Sequence, residues 1–378
     1  MLRRILIVPD KFKGSLSAVE AAGAIARGWA AACPGDRLVL LPMSDGGDGF
    51  GPVMAKALGL KERLIGGIDA AGQARKVGLW LDAESGQAVV ETAQSNGLAM
   101  LSQGRFHPFD LDTRGVGALL LAAGQAGATS CLAGIGGSAT NDGGFGLARS
   151  LGWVFRDESG SAIEEWTGLG GLVAIEPPAS RAWPSVTVAS DVRNPLLGVD
   201  GATRVYGPQK GMRPKDFVKA EGCLGRLAKV AAKMLGVDFS VTPGAGAAGG
   251  LGFGLMAFAG ASIDPGFDVF AEATGLEAHI AEADFVVTAE GSIDKQTLMG
   301  KGTGQVATLC RRLGKPCIGL AGQLALGPAP VDPGDQLFWR LAAMVPDLAS
   351  EPAAMANPVI YLENLAKQEA LLINSADG

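Results

Sequence analysis

Six short stretches of the chain gather carboxylates, cations and hydroxyls among glycines. Phosphoryl transfer asks for that mixture: donors and positive charge around the phosphates, a divalent ion held by carboxylates, and a group that orients the attacking hydroxyl. Asp10-Lys11-Phe12-Lys13-Gly14-Ser15 supplies two lysines and a hydroxyl, and Lys13 is its stronger candidate for ligand contact. Ser44-Asp45-Gly46-Gly47-Asp48-Gly49 separates two carboxylates by glycines, so it can offer oxygen to Mg²⁺ or to a substrate hydroxyl, or cap the helix that follows.

Between Gly134 and Gly144 lies the most glycine-rich of these segments, with Gly136, Gly137, Ser138 and Asn141 as candidate phosphate contacts. Exposed N–H groups before a helix make an anion site. The same residues admit a competitor. Gly134, Gly136 and Ala139 also fit a dinucleotide fingerprint, with Asp157 near the position of a ribose-binding acid, which implies an NAD(P)-dependent hydroxy-acid dehydrogenase. A second match at Gly244, Gly246 and Gly249 shows how cheaply that pattern arises in a chain with 57 glycines. His107 and His279, the only histidines, read as structural. Walker A and protein-kinase motifs are absent.

Ser190-Asp191-Val192-Arg193-Asn194-Pro195 places Asp191 where it can accept a proton from a substrate hydroxyl, and Arg193 where it can grip a carboxylate through two hydrogen bonds. An Asx-turn before Pro195 is the plainer alternative. Tyr206 to Gly211 adds a basic turn. The last stretch, Ala289 to Thr297 followed by Gly300-Lys301-Gly302, holds Glu290, Asp294, Lys295 and Ser292 and suits a nucleotide or metal contact.

Each of these stretches needs a strand or helix to position it. Arg4 to Pro9 reads as a buried strand, Ser17 with Glu20 as a capping box, and Arg37 to Met43 as a second strand leading into Ser44 to Gly49. Near the other end Ala283 to Thr288, Gly302 to Leu313 and Lys315 to Ala321 repeat the strand–helix–strand alternation. Such alternation implies a parallel sheet that binds ligands at the carboxyl ends of its strands. The two chain ends are therefore expected to share one domain, 1–65 with 285–378, and 66–284 to form an inserted one. Leu326 to Asp335 reads as a loop, and Asn357-Pro358 as the start of a last helix.

With 378 residues, 48% of them hydrophobic and 19% charged, the chain can bury a core and is too apolar to be disordered. A net charge of −6 without a basic stripe argues against nucleic acid. Five scattered cysteines fit a reducing, cytoplasmic compartment. Two long uncharged stretches, 115–141 and 240–263, are broken by Gly, Ser, Thr, Asn or Pro and read as buried segments rather than membrane spans.

Taken in order, these blocks resemble the bacterial glycerate kinase family, type I. The likeness runs from Pro9-Asp10-Lys11-Phe12-Lys13-Gly14-Ser15 through 44–47, 136–144, 191–196, 207–211 and 246–252 to Glu290-Gly291-Ser292-Ile293-Asp294 and Gly300-Lys301, nearly the whole chain. It implies an α/β fold: a parallel-sheet flavodoxin-like domain built from both chain ends, an inserted mixed α/β domain, and a cleft between them. It also implies ATP, Mg²⁺ and phosphorylation of D-glycerate, usually at the 2-hydroxyl, by a monomer or homodimer. On that basis Asp191, Lys13 and Arg193 are the expected catalytic residues. Gly136, Gly137, Ser138, Asn141, Gly291, Ser292, Lys295 and Lys301 are expected to hold the nucleotide, and Asp45, Glu290 and Asp294 the metal. Asp48, Ser292 and the Thr113–Gly117 segment depart from the family's usual residues, which bears on substrate choice more than on the reaction.

Overall fold

The computed structural model describes residues 2–102, 104–300, 302–326 and 337–376. Its strands are β1 (Arg4–Pro9), β2 (Arg37–Leu40), β3 (Lys61–Ile68), β4 (Ala74–Asp82), β5 (Gln87–Glu91), β6 (Ser130–Gly134) and β7 (Val154–Asp157). They continue with β8 (Leu172–Glu176), β9 (Ser185–Ala189), β10 (Ser262–Asp264), β11 (Phe285–Asp294), β12 (Cys317–Ala325) and β13 (Arg340–Val345). The chain divides into two units: unit 1 takes Met1–Ser44 with Phe270–Gly378, and unit 2 takes Asp45–Val269.

Unit 1 is built on a parallel sheet ordered β13-β12-β11-β1-β2. Ile5 to Val8 are fully buried, as a central strand covered on both faces requires. After β1 the chain turns one way to β2, and on its later return it enters on the other side as β11. That reversal gives the order of a flavodoxin-like sheet, with its switch point between β1 and β11. Helix Ala18–Ala32 begins at a reciprocal cap, where Glu20 N–H donates to Ser17 Oγ at 3.2 Å and Ser17 N–H to the Glu20 carboxylate at 2.9 Å. It packs on helix Pro358–Ala376 so closely that a Cβ on Gly28 would stand 2.0 Å from the Glu363 carbonyl oxygen.

Unit 2 carries a mixed sheet ordered β10-β9-β6-β5-β4-β3, in which β10, β9, β6 and β5 run parallel and β4 and β3 antiparallel. A separate β7–β8 ribbon stands apart from it. The carboxyl ends of β5, β6 and β9 therefore open on one edge, where the loops beginning at Thr92, Ile135 and Ser190 emerge.

Three features depart from the expectation drawn from sequence. Residues 45–65 fall in unit 2, because helix Phe50–Leu58 packs on β4 and β5 and β3 pairs with β4; residues 270–284 fall in unit 1, where helix Leu276–Glu282 packs on β1. β11 also runs six residues past Thr288, since Ser292, Ile293 and Asp294 pair with Gln323, Leu324 and Ala325 of β12. Finally, the expected loop at 326–335 lies, after Leu326, outside the described residues. The final helix spans Pro358–Ala376. Among the described residues no helix is long and apolar enough to cross a membrane.

Candidate active site

In unit 2 the site is assembled from loops that approach one another backbone to backbone. Gly136 N–H donates to the Gly46 carbonyl at 2.9 Å, and a Cβ on Gly46, whose φ is +93°, would stand 2.0 Å from the Ala189 carbonyl oxygen at the end of β9. Only glycine fits there. The Asp45–Gly49 loop is thereby pressed against the ends of β6 and β9. Asp45 turns back on its own loop, accepting from Gly47 N–H at 3.1 Å. Buried Glu91, at the end of β5, accepts from the N–H groups of Gly49 and Gly51 at 2.8 and 3.2 Å, where helix Phe50–Leu58 begins. Burial holds the Glu91 carboxyl above its ordinary range, the two N–H bonds oppose that rise, and the charge of Asp48 adds to it.

These loops border a cavity of about 720 Å³. Gly136, Gly137, Ser138 and Asp48 line it together with the apolar Leu98, Leu101, Phe106 and Leu111, and Leu98 N–H donates to the Gly137 carbonyl at 2.8 Å. Val192, Tyr206, the Pro208–Gly211 turn and Ala248 close it. Ala248 adopts φ +54°, alone among the described non-glycine residues, and Gly249 and Gly250 follow it in the same region. A Cβ on Gly249 would stand 1.9 Å from the Thr140 carbonyl oxygen, so the 246–254 segment braces the glycine loop from behind.

Two ionisable groups are buried here: Asp142 behind the glycine loop and Lys210 at the edge of the cavity. Asp142 accepts from Thr113 N–H and Oγ1, Gly144 N–H and Gly146 N–H at 2.8–3.1 Å, and burial pushes its carboxyl up to about 6. The Lys210 ammonium donates to Ser138 Oγ at 2.9 Å and to the Thr140 carbonyl at 2.7 Å, and burial pulls it down to about 7 against the pull of Asp142.

Asp191 stands one residue beyond Ser190 at the end of β9 and next to Val192 of the cavity wall. The residue is exposed, yet its carboxylate is tucked against the backbone, where Gly266 N–H donates to it at 2.7 Å. Lost solvation is the main cause of a carboxyl held above its ordinary range; the Gly266 bond opposes this and the charge of Asp45 adds to it.

Unit 1 has its own hollow, about 420 Å³, at the switch point of its sheet. Asp10 to Lys13 and Ser15 line it from the end of β1, and Glu290, Gly291 and Ser292 from β11. Lys13 and Gly14 sit at the tip of a turn closed by hydrogen bonds between Phe12 and Leu16, with Gly14 at φ +81°. Glu290 accepts from the hydroxyls of Thr297 and Thr303, and burial raises its carboxyl.

A sequence model of the glycerate kinase family matches residues 5–374. Glycerate 2-kinase of Escherichia coli K12 is 38% identical over 331 residues, covering 85% of each chain. Glycerate kinase of Bacillus subtilis 168 is 38% identical over 381 residues, covering 99% of this chain and 98% of its own. The chain belongs to the glycerate kinase family. It is a phosphotransferase, and its family implies a nucleotide substrate. A crystal structure from Salmonella typhimurium LT2, provisionally named glycerate kinase 2, superposes with a TM-score of 0.85 at 33% identity, covering both chains fully.

The expected site residues are distributed as follows. Gly136, Gly137 and Ser138 line the unit 2 cavity; Asp191 is not among its lining residues, although its chain neighbour Val192 is. Arg193 is exposed beside it and makes no hydrogen bond or ion pair among the described residues. Lys13, Glu290, Gly291 and Ser292 line the unit 1 hollow. Asn141 does not reach the cavity: it is buried, and its amide donates to Thr203 Oγ1 at 3.0 Å. Asp294 caps helix Lys295–Leu298, accepting from Gln296 and Thr297 N–H, and Lys295 is exposed outside the hollow. Lys301 lies outside the described residues. Among those described, no three His, Cys, Asp or Glu side chains converge as a metal cluster.

Two expectations need correction. The helix after the glycine loop is only Phe145–Ser150, and Asp142 already takes the N–H groups of Gly144 and Gly146 at its start, so those two donors are not free for an anion. The nicotinamide reading finds no support. Gly134 makes room for Phe50 and Gly136 for Gly47, and Asp157 is spent on the turn at Ser159 and Ser161 in the β7–β8 ribbon. Sequence reasoning missed Lys210 as a buried group; its only signal was a lysine inside the Gly207–Gly211 turn.

Proposed function

We propose that this chain phosphorylates D-glycerate with ATP and Mg²⁺, producing 2-phosphoglycerate and ADP. The observation that carries this reading is the position of Asp191, a carboxylate of raised basicity at the end of β9, one residue before Val192 of a cavity lined by both a glycine loop and apolar side chains. Nucleotide phosphates fit the N–H groups of Gly137 and Ser138, since that of Gly136 is held by the Gly46 carbonyl, and a base fits the apolar lining of Leu98, Leu101, Phe106 and Leu111. Asp191 orients the 2-hydroxyl and takes its proton as the hydroxyl oxygen bonds to the γ-phosphorus and the bond to the bridging oxygen of ADP breaks. Arg193 is assigned to the glycerate carboxylate. In unit 1, Lys13 is assigned to substrate or phosphoryl oxygens, and Gly291 and Ser292 to the nucleotide.

Mg²⁺ commonly binds one or two carboxylates, completing its shell with phosphate and water oxygens. Asp45 fits that demand: its charge helps hold the Asp191 carboxyl above its ordinary range, and a cation held by Asp45 would offset that repulsion. Bound there, the ion would neutralise charge on the phosphates. Glu290 keeps acceptor capacity beyond its two hydroxyl bonds, whereas Asp294 is largely committed to its cap.

The name of the Escherichia coli relative, glycerate 2-kinase, supports the 2-position. A cytoplasmic location belongs to the same reading, supported by five free buried cysteines, as does a monomer or homodimer on the family resemblance alone. Incubation with ATP, Mg²⁺ and D-glycerate tests it: ADP must form in step with a phosphoglycerate, and Asp191→Asn must lose turnover. No glycerate-dependent ADP would refute the reaction.

A further inference from the structure

A lysine only 6% exposed is costly unless its charge is paired. Lys210 makes no ion pair among the described residues; its two partners, Ser138 Oγ and the Thr140 carbonyl, are neutral. Both belong to the glycine loop, and Ser138 and Lys210 both line the unit 2 cavity. A neutral amine has two N–H groups, which these two acceptors satisfy. The ammonium form has a third N–H, with no acceptor among the described residues.

We infer that Lys210 is a proton-linked anion site: it takes up a proton when the nucleotide's phosphate seats on the Gly136–Ser138 loop, and its third N–H and positive charge then hold that phosphate. The inference rests on the reading of this cavity as the nucleotide site. Cavity size favours the nucleotide over glycerate as the source of the anion, since a three-carbon acid would leave most of about 720 Å³ unfilled.

The groups around Lys210 agree with a poised amine. Asp142, on the loop behind it, favours the charged form, while burial opposes it more strongly and leaves the amine near 7. Asp142 acts only at a distance: its carboxylate oxygens accept from Thr113, Gly144 and Gly146, and among the described residues it makes no hydrogen bond or ion pair with Lys210. Asp48 and Tyr206 are the other titratable groups lining the cavity, and among the described residues neither is a partner of the Lys210 ammonium, which bonds Ser138 and Thr140. An arriving anion supplies the missing charge and lifts the lysine well above neutrality. Nucleotide binding then consumes a proton, and affinity falls as pH rises above about 7.

Calorimetric titration of the full chain with ADP at pH 7 to 8, in buffers of different ionisation enthalpy, tests this without any variant. The expected result is uptake of roughly half a proton or more per ADP. Lys210→Met should abolish that uptake and raise the ADP dissociation constant about 10- to 100-fold, the range for a hydrogen bond to a charged group. A purely structural lysine would shift thermal stability and leave the proton uptake of Lys210→Met equal to that of the wild type. ADP binding without uptake in the wild type overturns the inference while leaving the proposed function intact. Uptake on binding D-glycerate but not ADP overturns it too, assigning the lysine to the acid. If the folded chain does not bind ADP at all, the nucleotide reading beneath it fails.

Discussion

Gly46 and Ala189 meet so closely that the carbonyl oxygen of Ala189 fills the space a Cβ on Gly46 would need, at 2.0 Å. This places the carboxylate loop against the end of β9, two residues before Asp191. Gly46→Ala must push that loop outward and strain a φ of +93°. The strain alone costs about 1–3 kcal/mol, and a shift near 1 Å at a reacting group can cost about 10²-fold in rate. We expect kcat/KM to fall by about that factor, with Tm lower by roughly 3–10 °C. Retained activity would show that Asp45 need not be held there.

Asp191→Asn removes the proton acceptor and keeps the side chain's shape. kcat for glycerate phosphorylation should drop by at least about 10²-fold, with KM for nucleotide little changed. Because desolvation and Asp45 hold this carboxyl above its ordinary range, the acid limb of kcat/KM should lie above the pH of a free aspartate. Near-normal turnover in the variant would remove Asp191 from the chemistry.

Lys13→Ala tests the unit 1 hollow. The side chain is exposed at a turn tip and packs on no core, so its loss should leave Tm unchanged within about 1 °C. Steady-state kinetics should show KM for one substrate raised by about 10-fold or more, the cost of a lost charge-assisted bond. Unchanged kinetics would assign the turn to structure alone.

The pH dependence of stability tests the buried pair Asp142 and Lys210. Asp142, raised to about 6, contributes stability that is full below about 4 and is lost as pH rises through 6. Lys210, lowered to about 7, contributes stability that is full above its ordinary value near 10.5 and is lost as pH falls through 7. The pair's contribution is therefore least between pH 6 and 7. Denaturant melts of the wild type should show this minimum relative to the double variant Asp142→Asn, Lys210→Met, with differences on the order of 3 kcal/mol across the Asp142 window. Parallel curves would show that neither group titrates with folding.

The sequence reading was most accurate where local chemistry decides the outcome. Ile5 to Val8 could only be a buried strand, Ser17 with Glu20 could only start a helix, and glycine loops after apolar runs marked the strand ends that border both cavities. It was least accurate where a distant partner decides. Nothing local to Ser292–Asp294 indicates that β12 is long enough to pair with them. Asp142 resembled one more polar loop residue, yet Thr113, far away in sequence, turns it into a buried cap. Lys210 reads as a surface lysine until the Ser138–Thr140 loop closes over it.

The most direct test of the proposed reaction is phosphorus NMR of a mixture of the full chain with ATP, Mg²⁺ and D-glycerate. The account predicts ADP and 2-phosphoglycerate accumulating in equal amounts. An unchanged spectrum, or a phosphate appearing on the 3-hydroxyl instead, would contradict it.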